Sequence, residues 1–280
     1  MKKRIALIDA DCLAYYSSKE TIEESIIILK ERIRFILESI DCTDSILFLT
    51  GERCFRYDIY PLYKANRGKY PQPLKYLKTL KSLMIEEYKG LIVNSLEADD
   101  LVAYYQWCFQ QENSEYEPVV CSTDKDVIYQ LIGKHWNFKY NSLNGNVAIV
   151  EKGHWVETNA EQSREFIALQ MLMGDSSDNI PGLVDKTDYM KQRFDLDNRK
   201  GIGEVTAKKI ISIIKDKYEG NYEKEVLKCY VNKYGGETEY NLNKELITLK
   251  VEPNALKVLS IEYHINTLTV TEPNNIESEF

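Results

Sequence analysis

The sequence predicts an α/β fold in which a mostly parallel β-sheet carries helices on both faces. Short apolar runs typical of buried strands recur up to Ser122, and stretches with the apolar spacing of amphipathic helices lie between them. Neither an internal repeat nor a low-complexity segment interrupts this alternation. With 280 residues, the chain can bury a core as one large domain, or as one domain with a small added module.

The predicted elements follow one another in a regular order. Strands are expected at 4–9, 45–50, 91–93 and 118–122. Helices are expected at 20–39, from about 98, at 125–132 and at 161–173. Beyond Gly174 the sequence becomes polar and rich in turn residues, and a helical module is expected over 203–217 and 222–233. The acidic residues from Glu272 onward favour a loose tail.

Composition narrows the class of protein. Hydrophobic residues make up 44% of the chain and charged residues 29%, as in ordinary globular proteins. No apolar run approaches the roughly 18–20 residues of a membrane span, and the run after Arg4 is too short for a signal peptide. Six scattered cysteines without a CxxC pair favour reduced thiols in a cytoplasmic protein. Three dispersed histidines offer no zinc site.

The total charge is acidic, but one segment is basic. The net charge of −8 argues at first against a nucleic-acid partner. Residues 62–81, however, contain no acidic side chain. The cations of this segment are Lys64, Arg67, Lys69, Lys75, Lys78 and Lys81. A local basic field of this kind can attract phosphates whatever the total charge of the chain.

Acidic side chains follow three of the predicted strands. In an open parallel sheet, ligands bind beyond the carboxyl ends of the strands, so these side chains should share one edge. The three clusters are Asp9 with Asp11, then Glu97 with Asp99 and Asp100, then Asp124 with Asp126. A further pair, Asp175 and Asp178, follows the helix predicted at 161–173 and can close the site from another direction.

Clustered carboxylates predict a metal site. They raise one another's pKa values unless a cation neutralises them, and Mg²⁺ or Mn²⁺ suits a shell made only of carboxylates. Two such ions about 3.5–4 Å apart can bind a phosphodiester, generate hydroxide and stabilise the leaving oxygen. The alternative is a role at helix starts, because Glu97–Asp100 and Asp124 each precede a helix. Asp175 fits that alternative less well, because an acidic residue at a helix C-terminus opposes the dipole.

Seven short motifs occur in one order along the chain. They are IDAD at 8–11, FR at 55–56, YKANR at 63–67, EADD at 97–100, STDKD at 122–126, MGDSSDNIPG at 173–182, and GIG at 201–203 followed by TAKK at 206–209. In this order they resemble the 5′ nuclease (flap endonuclease) superfamily, most closely phage 5′–3′ exonucleases and the N-terminal nuclease domain of bacterial DNA polymerase I. The resemblance implies a PIN-like core at 1–174 with a helical arch near 64–90. It also implies a helix–three-turn–helix (helix–hairpin–helix) module at 175–252 and a C-terminal segment at 253–280.

The resemblance implies roles for single residues in catalysis. The positions that match the family's metal groups are Asp9, Glu97 and Asp99 for one, and Asp124, Asp126, Asp175 and Asp178, with Asp100 nearby, for the other. Lys64 and Arg67 match cations at the base of the arch, where they would hold the scissile phosphate and offset transition-state charge. The alternative for both is a solvated surface cation.

Other matches concern the arch and its DNA contacts. Tyr63 is a candidate for stacking on a terminal base, and Arg56 is a candidate for a substrate contact. The segment 73–87 has leucines at helical spacing and is expected to form an amphipathic arch helix. Its lysines either contact the DNA backbone or form a solvated face; they are Lys75, Lys78 and Lys81.

The hairpin motif predicts a contact with duplex DNA that does not read sequence. Gly201 and Gly203 let the backbone approach a phosphate, and the following helix presents free N–H groups. Lys208 and Lys209 add attraction for phosphates. Members of the family also hold a monovalent ion at this hairpin, so the resemblance implies a K⁺ site here.

Two departures from the family pattern stand out. Many relatives carry an aspartate about six residues before the Phe-Arg pair, where this chain has Leu49. Glu52 is an alternative ligand, and a site with one ligand fewer is the other possibility. Relatives also need only a couple of residues between Gly182 and Gly201, whereas here 183–200 form a polar insert that we expect to be a solvated loop.

The leading hypothesis is a structure-specific 5′–3′ exonuclease and 5′-flap endonuclease that needs Mg²⁺ or Mn²⁺, with two ions. Its expected partners are DNA with 5′ ends or flaps, with RNA–DNA hybrids and replication proteins as further candidates. A cytoplasmic monomer that removes primers or flaps is expected, in the host cytoplasm if the chain comes from a phage. The alternatives are a catalytically impaired protein that binds DNA structures, and a PIN-type ribonuclease on single-stranded RNA.

Overall fold

The structure is a computed structural model, and it describes residues 2–42, 44–67, 75–111, 114–138 and 153–250. The chain divides into two compact units. The first comprises Met1–Phe55, Gln72–Glu157 and Leu249–Phe280, and the second comprises Arg56–Pro71 and Thr158–Thr248. The predicted segment 253–280 lies outside the described residues. Within the described ranges, none of the helices combines the length and apolar character that crossing a membrane requires.

The first unit is built on a six-stranded sheet. Its strands are β1 (Lys3–Asp9), β2 (Asp44–Thr50), β3 (Leu91–Val93), β4 (Tyr116–Cys121), β5 (Gly133–Asn137) and β6 (His154–Thr158). They lie in the order β3-β2-β1-β4-β5-β6. The four pairs that join β3 through β5 are all parallel, which confirms the predicted mostly parallel sheet. The order reverses between β1 and β4, the kind of position at which open sheets bind ligands.

Helices connect these strands and continue beyond them. They are α1 (Ala10–Ser17), α2 (Ile22–Ser39), α3 (Arg56–Ile59), α4 (Leu77–Tyr88), α5 (Ala98–Phe109), α6 (Lys125–Gln130), α7 (Ala160–Met173), α8 (Asp188–Arg193), α9 (Glu204–Lys217), α10 (Tyr222–Tyr234) and α11 (Thr238–Ile247). Ile5 and Leu7 of β1 join the core on the α5 side, whereas Ala6 and Ile8 join the core lined by α1, α2 and α4. This alternation places helices on both faces, as predicted.

The helix expected as part of an arch belongs to the core of the first unit. Of the predicted span 73–87, the structure describes a helix over Leu77–Tyr88, and residues 68–74 (with Lys69) lie outside the described residues. Leu80 and Met84 are fully buried. The apolar face of this helix therefore covers the sheet, and the predicted arch at 64–90 is divided between the two units.

The second unit is helical, and its boundary differs from the predicted one. Helix α7 contacts α9, α10 and α11, so the unit begins at Thr158 rather than after Gly174. It also includes the segment Arg56–Pro71, which contains α3. The prediction assigned α7 and the segment Arg56–Pro71 to the nuclease core, because sequence order does not reveal which distant segments they pack against.

The prediction of a solvated loop over 183–200 is wrong. The segment contains α8, and the side chains of Met190 and Phe194 are fully buried. Arg193 forms an ion pair of 2.5 Å with the buried carboxylate of Glu225. Because an apolar side chain recurs after four residues, this short helix buries one face even though its composition is polar.

Candidate active site

Asp9 lies at the point where β1 ends and α1 begins. Its side chain is 4% exposed and caps the helix, accepting a hydrogen bond from the backbone N–H of Cys12 at 3.5 Å. The hydroxyl of Ser122 and the thiol of Cys12 also donate to Asp9 Oδ2, at 2.9 and 3.1 Å. A buried carboxylate is thus held in place by groups from the ends of two adjacent strands, β1 and β4.

The environment of Asp9 disfavours its charge. Burial is the largest cause that raises the pKa of Asp9, and the neighbouring carboxylates of Asp11 and Asp124 also raise it, while the hydrogen bonds from Cys12 and Ser122 lower it; the resulting pKa is about 6. Carboxylates from the first and third clusters therefore interact electrostatically. A bound cation would relieve both the burial cost and the repulsion.

The second cluster forms the start of α5. Asp100 is fully buried and accepts hydrogen bonds from the backbone N–H groups of Glu97 at 3.3 Å and Lys250 at 3.1 Å. Asp99 is half-buried and accepts the N–H of Asp100 at 2.9 Å. Asp99 and Asp100 therefore bind backbone N–H groups at the start of α5, which is the alternative to metal binding that the sequence left open. Both oxygens of Asp100 accept backbone N–H groups, and Glu97 and Asp99 remain candidate metal ligands.

The third cluster is linked to the first by Ser122, which the sequence did not single out. Asp124 caps α6 by accepting the N–H of Asp126 at 2.8 Å, and its own N–H donates to Ser122 Oγ at 3.0 Å. Because the same hydroxyl donates to Asp9, it couples the positions of two acidic side chains. Its place inside the STDKD motif was the available signal.

The three clusters follow β1, β3 and β4, whose carboxyl ends meet at one edge of the parallel sheet. Among the described residues, no three acidic, cysteine or histidine side chains already converge closely enough to form a metal site. The donors are nevertheless oxygen ligands of the type that Mg²⁺ prefers, and the raised pKa of Asp9 marks a place where cations would be stabilising. The donor chemistry fits a hard divalent ion.

In the second unit, Asp178 is surrounded by the predicted arch-base residues. Arg67 forms an ion pair of 2.6 Å with Asp178 Oδ1, and the Lys64 ammonium lies 3.7 Å from Oδ2. The Tyr63 hydroxyl donates to the same oxygen at 2.9 Å. Lys64 has a left-handed backbone (φ 54°), and its N–H donates to the Asp178 carbonyl at 2.8 Å. The two cations and one candidate metal ligand are thus brought together.

The loop that carries Asp175 and Asp178 is fixed by two glycines. Asp175 and Ile180 exchange backbone hydrogen bonds of 2.9 and 2.8 Å. A Cβ atom at Gly174 would lie 2.1 Å from the Ile180 carbonyl oxygen, and one at Gly182 would lie 2.2 Å from the Gly174 nitrogen. Only glycine fits this approach. The Asp175 carboxylate, 6% exposed, accepts hydrogen bonds from Ser177.

Two residues predicted to contact substrate are buried. The Tyr63 ring is 2% exposed, so the prediction that it stacks on a terminal base is wrong; its role is the hydrogen bond to Asp178. Arg56 is also 2% exposed. Its guanidinium donates to the carbonyl oxygens of Leu246 at 2.9 Å and Thr248 at 3.3 Å, which satisfies the end of α11. Burial excludes a DNA contact for either side chain in this structure.

Arg56→Met is expected to destabilise the protein by about 2–3 kcal/mol, because buried carbonyl groups at the end of α11 lose a charged donor. Urea unfolding of this variant and of Arg34→Met, a control whose side chain is 73% exposed, would measure the difference. Equal stability of the two variants, with weaker DNA binding by the Arg56 variant, would instead assign Arg56 to the substrate.

The lysines of the predicted arch helix have different surroundings. The Lys81 ammonium forms an ion pair of 2.7 Å with Asp11 Oδ1, so in this structure it neutralises an acidic residue of the first cluster. Lys78 is exposed. Lys75 is exposed and its ammonium lies 4.8 Å from the centre of the Tyr76 ring. Of the three, Lys75 and Lys78 are the ones available to a phosphate.

The predicted hairpin starts a helix without a side-chain cap. Gly201 has a positive φ of 83°, and Gly203 is the N-cap of α9 with no side-chain hydrogen bond to the first turn. Lys208 pairs with Glu204 at 2.6 Å, and Lys209 lies 3.9 Å from the Asp195 carboxylate. The free N–H groups of α9 suit an anion, while both lysines already have acidic neighbours.

The end of β2 provides no carboxylate at the position where the family resemblance implies an aspartate. Leu49 is fully buried, and Glu52 is exposed. The hydroxyl of the intervening Thr50 accepts the N–H of Ala98 at 2.9 Å, and its own N–H lies 3.4 Å from Asp11 Oδ1. Thr50 therefore orients the first turn of α5 and a carboxylate of the first cluster.

The chain matches a known protein family. The family model for the N-terminal resolvase-like domain of 5′–3′ exonucleases matches residues 4–161, more than half of the chain. The chain belongs to this family. A 5′–3′ exonuclease of Buchnera aphidicola (subspecies Schizaphis graminum) is 34% identical over 140 residues, which are 49% of this chain and 47% of that protein. The chain thus spans about half the length of the first curated 5′–3′ exonucleases it matches.

Solved 5′ nuclease structures share the fold. The bacteriophage T5 5′-exonuclease with bound zinc is 19% identical with a TM-score of 0.55, over 92% of this chain and 97% of that chain. The bacteriophage T5 flap endonuclease, in a complex with DNA and metal ions, is 16% identical with a TM-score of 0.51, over 89% and 100%. These likenesses confirm the PIN-like fold class expected for a member of the 5′–3′ exonuclease family.

Proposed function

We propose that this member of the 5′–3′ exonuclease family is a metal-dependent phosphodiesterase, acting as a 5′–3′ exonuclease and 5′-flap endonuclease. The observation that carries the proposal is the buried Asp9, raised in pKa beside Asp11 and Asp124 at the carboxyl edge of a parallel sheet. A protein gains nothing in stability from burying a carboxylate among like charges, so a cation-dependent function accounts best for this arrangement.

We propose Mg²⁺ or Mn²⁺, as two ions, for this edge. One ion would be held by Asp9, Glu97 and Asp99. The other would be held by Asp124 and Asp126, together with Asp175 and Asp178. When bound, such ions generate hydroxide and stabilise the leaving oxygen of a phosphodiester. Other groups position the site. Ser122 holds Asp9 and the backbone of Asp124, and the N–H groups of Glu97 and Lys250 hold Asp100, which lies next to the proposed ligand Asp99 in the chain.

Lys64 and Arg67 are proposed as the cations that bind the scissile phosphate. Both lie against the Asp178 carboxylate, which fixes their side chains near a candidate metal ligand. A cation held by a carboxylate and by its own backbone turn is preorganised, so little conformational entropy is lost when a phosphate arrives. Lys75, Lys78, the N–H groups at Gly203 and the lysines of α9 would add contacts to the backbone of a duplex.

The proposed partner is DNA with a 5′ end or flap, and the T5 flap endonuclease, which shares the fold, was solved with DNA. RNA–DNA hybrids and replication proteins are further proposed partners, because we propose a role in primer or flap removal and one of the relatives is a DNA polymerase I. A cytoplasmic monomer is proposed. None of the contacts described requires base-edge recognition, so cleavage should depend on DNA structure rather than sequence.

The direct test is cleavage of a 5′-flap duplex, compared with the same duplex lacking a flap and with unstructured RNA. We expect cleavage near the junction in Mg²⁺ or Mn²⁺ and none in EDTA. Full activity in EDTA would refute the proposal. Faster cleavage of the RNA than of the flap would favour a PIN-type ribonuclease.

Metal binding should weaken as the pH falls. The pKa of Asp9 is about 6, so below that pH a proton competes with the cation for the carboxylate. We expect the Mn²⁺ concentration for half-maximal cleavage to rise about tenfold for each pH unit below about 6. Flap binding measured without metal over the same range is the control, and a half-maximal concentration that is constant with pH would contradict the assignment of Asp9 as a ligand.

One observation favours a second function, that of a catalytically impaired protein that binds DNA structures. Leu49 is buried and carries no carboxylate at the strand end where the family resemblance implies an aspartate. Under this alternative the protein binds a flap in gel-shift assays but does not cleave it, whichever divalent metal is added. Turnover of the flap in Mn²⁺ would exclude it.

A further inference from the structure

The backbone turn at 183–185 directs its carbonyl groups toward donors of the protein itself. The Val184 carbonyl accepts the N–H of Ile202 at 3.1 Å, which joins the turn to the glycine hairpin. The Leu183 carbonyl accepts the N–H of Asp185 at 2.5 Å. Val184 also has a left-handed backbone (φ 54°), an unusual conformation for a β-branched residue. Such a turn needs tethers to remain in place.

The main tether is the ammonium group of Lys233. This residue lies in the last turn of α10, and its Nζ donates to the Leu183 carbonyl and lies 3.5 Å from the Asp185 carbonyl oxygen. The side chain is half-buried; burial lowers the pKa of Lys233, and the Asp185 carboxylate acts in the opposite direction. The half-buried Lys233 ammonium thus bridges two carbonyl groups of one turn.

A K⁺ ion in a protein is held by carbonyl oxygens that replace its hydration shell. At this turn the three consecutive carbonyl groups of 183–185 already have donors, and one of these donors is itself a monovalent cation. An ammonium group thus already occupies the position from which a cation would contact the Leu183 and Asp185 carbonyl oxygens, so this turn does not fit the K⁺ ion that the family resemblance implied at the adjoining hairpin. An ammonium group has the same charge and up to three donors, so it can serve the same carbonyl groups.

We propose that the Lys233 ammonium takes the place of a monovalent metal ion in this protein, so that the hairpin turn is organised by a side chain and needs no K⁺. Lys233 is then a positioning residue for the Gly201–Gly203 hairpin, acting through the turn at 183–185. The stability part of this inference is independent of the proposed nuclease function; only its consequence for duplex binding rests on that function.

The test compares melting temperatures in KCl and in choline chloride at equal ionic strength, with EDTA present. The native protein should have the same Tm in both salts. Lys233→Ala removes the ammonium and leaves space for an ion, and its Tm in choline chloride should fall by roughly 5 °C. Addition of K⁺ should restore a large part of that loss. Lys224→Ala, an exposed lysine of the same helix, is the matched control and should behave like the native protein in both salts.

Three outcomes would overturn the inference. They are a K⁺-specific rise in the Tm of the native protein, a Tm of Lys233→Ala equal to that of Lys224→Ala, and a loss that K⁺ does not reverse. If Lys233→Ala does not fold, Lys233→Gln is measured in the same way, and the native protein still decides the first outcome.

In a parallel assay without divalent metal, duplex binding should be K⁺-independent for the native protein and K⁺-dependent for Lys233→Ala. If neither protein binds duplex while the Tm results hold, the nuclease proposal fails and the inference about Lys233 stands.

Discussion

Asp9→Asn is expected to reduce cleavage by roughly 10³-fold and, at the same time, to stabilise the metal-free protein. The loss of activity follows from removing a negatively charged ligand at the centre of the acidic edge. The gain in stability follows from the raised pKa: folding shifts the pKa of Asp9 from 3.8 to about 6, which corresponds to about 3 kcal/mol of destabilisation at neutral pH. Asparagine has nearly the same shape and carries no charge.

The sign of the pH dependence follows from the same shift. The folded state binds the proton of the Asp9 carboxyl more tightly than the unfolded state does. Asp9 therefore does not lower the free energy of unfolding below about pH 4, and it lowers it increasingly between about pH 4 and pH 6. The difference in Tm between Asp9→Asn and the native protein, measured in EDTA, should therefore grow over this range and stay constant above it. Glu20→Gln, an exposed acidic residue, is the control. An Asp9→Asn protein that is less stable than the native one at pH 7 would contradict the argument.

Lys64→Gln is expected to lower the rate of flap cleavage by roughly 10²–10³-fold with a much smaller effect on flap binding. Glutamine keeps most of the stem and a hydrogen-bond donor but removes the charge that would offset developing negative charge on the phosphate. Asp178 also loses one of its two ion-pair partners, while Arg67 and Tyr63 still hold it. The loop should therefore keep its position, and the effect should be on the chemical step.

The chain offers a close control for this substitution. Lys89 has the same φ of 54° and is exposed on the first unit, so Lys89→Gln makes the same change of side chain on the same backbone conformation. Single-turnover cleavage and flap binding of both variants would separate rate from affinity. If the two variants cleave the flap at equal rates, Lys64 has no role in the chemical step and is a surface cation.

The sheet and its acidic edge could be predicted because their signals are local. Each inner strand is a short apolar run, and in a parallel sheet the residues that follow the strands meet at one edge whatever the details of packing. Helix α1 was missed because it follows β1 without a break: Asp9 both ends the strand and caps the helix. Strands β5 and β6 were missed because their sequences, such as GKHWN, are polar and lack a clear alternation.

The surroundings of the site residues could not be predicted, because they depend on contacts between distant segments. Arg56 contacts residues about 190 positions later, and Tyr63 meets a carboxylate 115 positions later. Nothing in a basic or aromatic side chain indicates whether it faces DNA or a carbonyl group of its own protein. The same applies to Ser122, whose importance comes from two hydrogen bonds rather than from its chemical class.

The division of the chain into interleaved units has a consequence for synthesis on the ribosome. The first unit is not finished when its sheet has been translated, because the Leu249 N–H donates to Gln130 and the Lys250 N–H donates to the fully buried Asp100. A nascent chain therefore has an incomplete start of α5 until about nine-tenths of the 280 residues have been made. The buried Asp100 of the second acidic cluster in this way lacks one of its two backbone donors until the helical unit, with its cations, has also been translated.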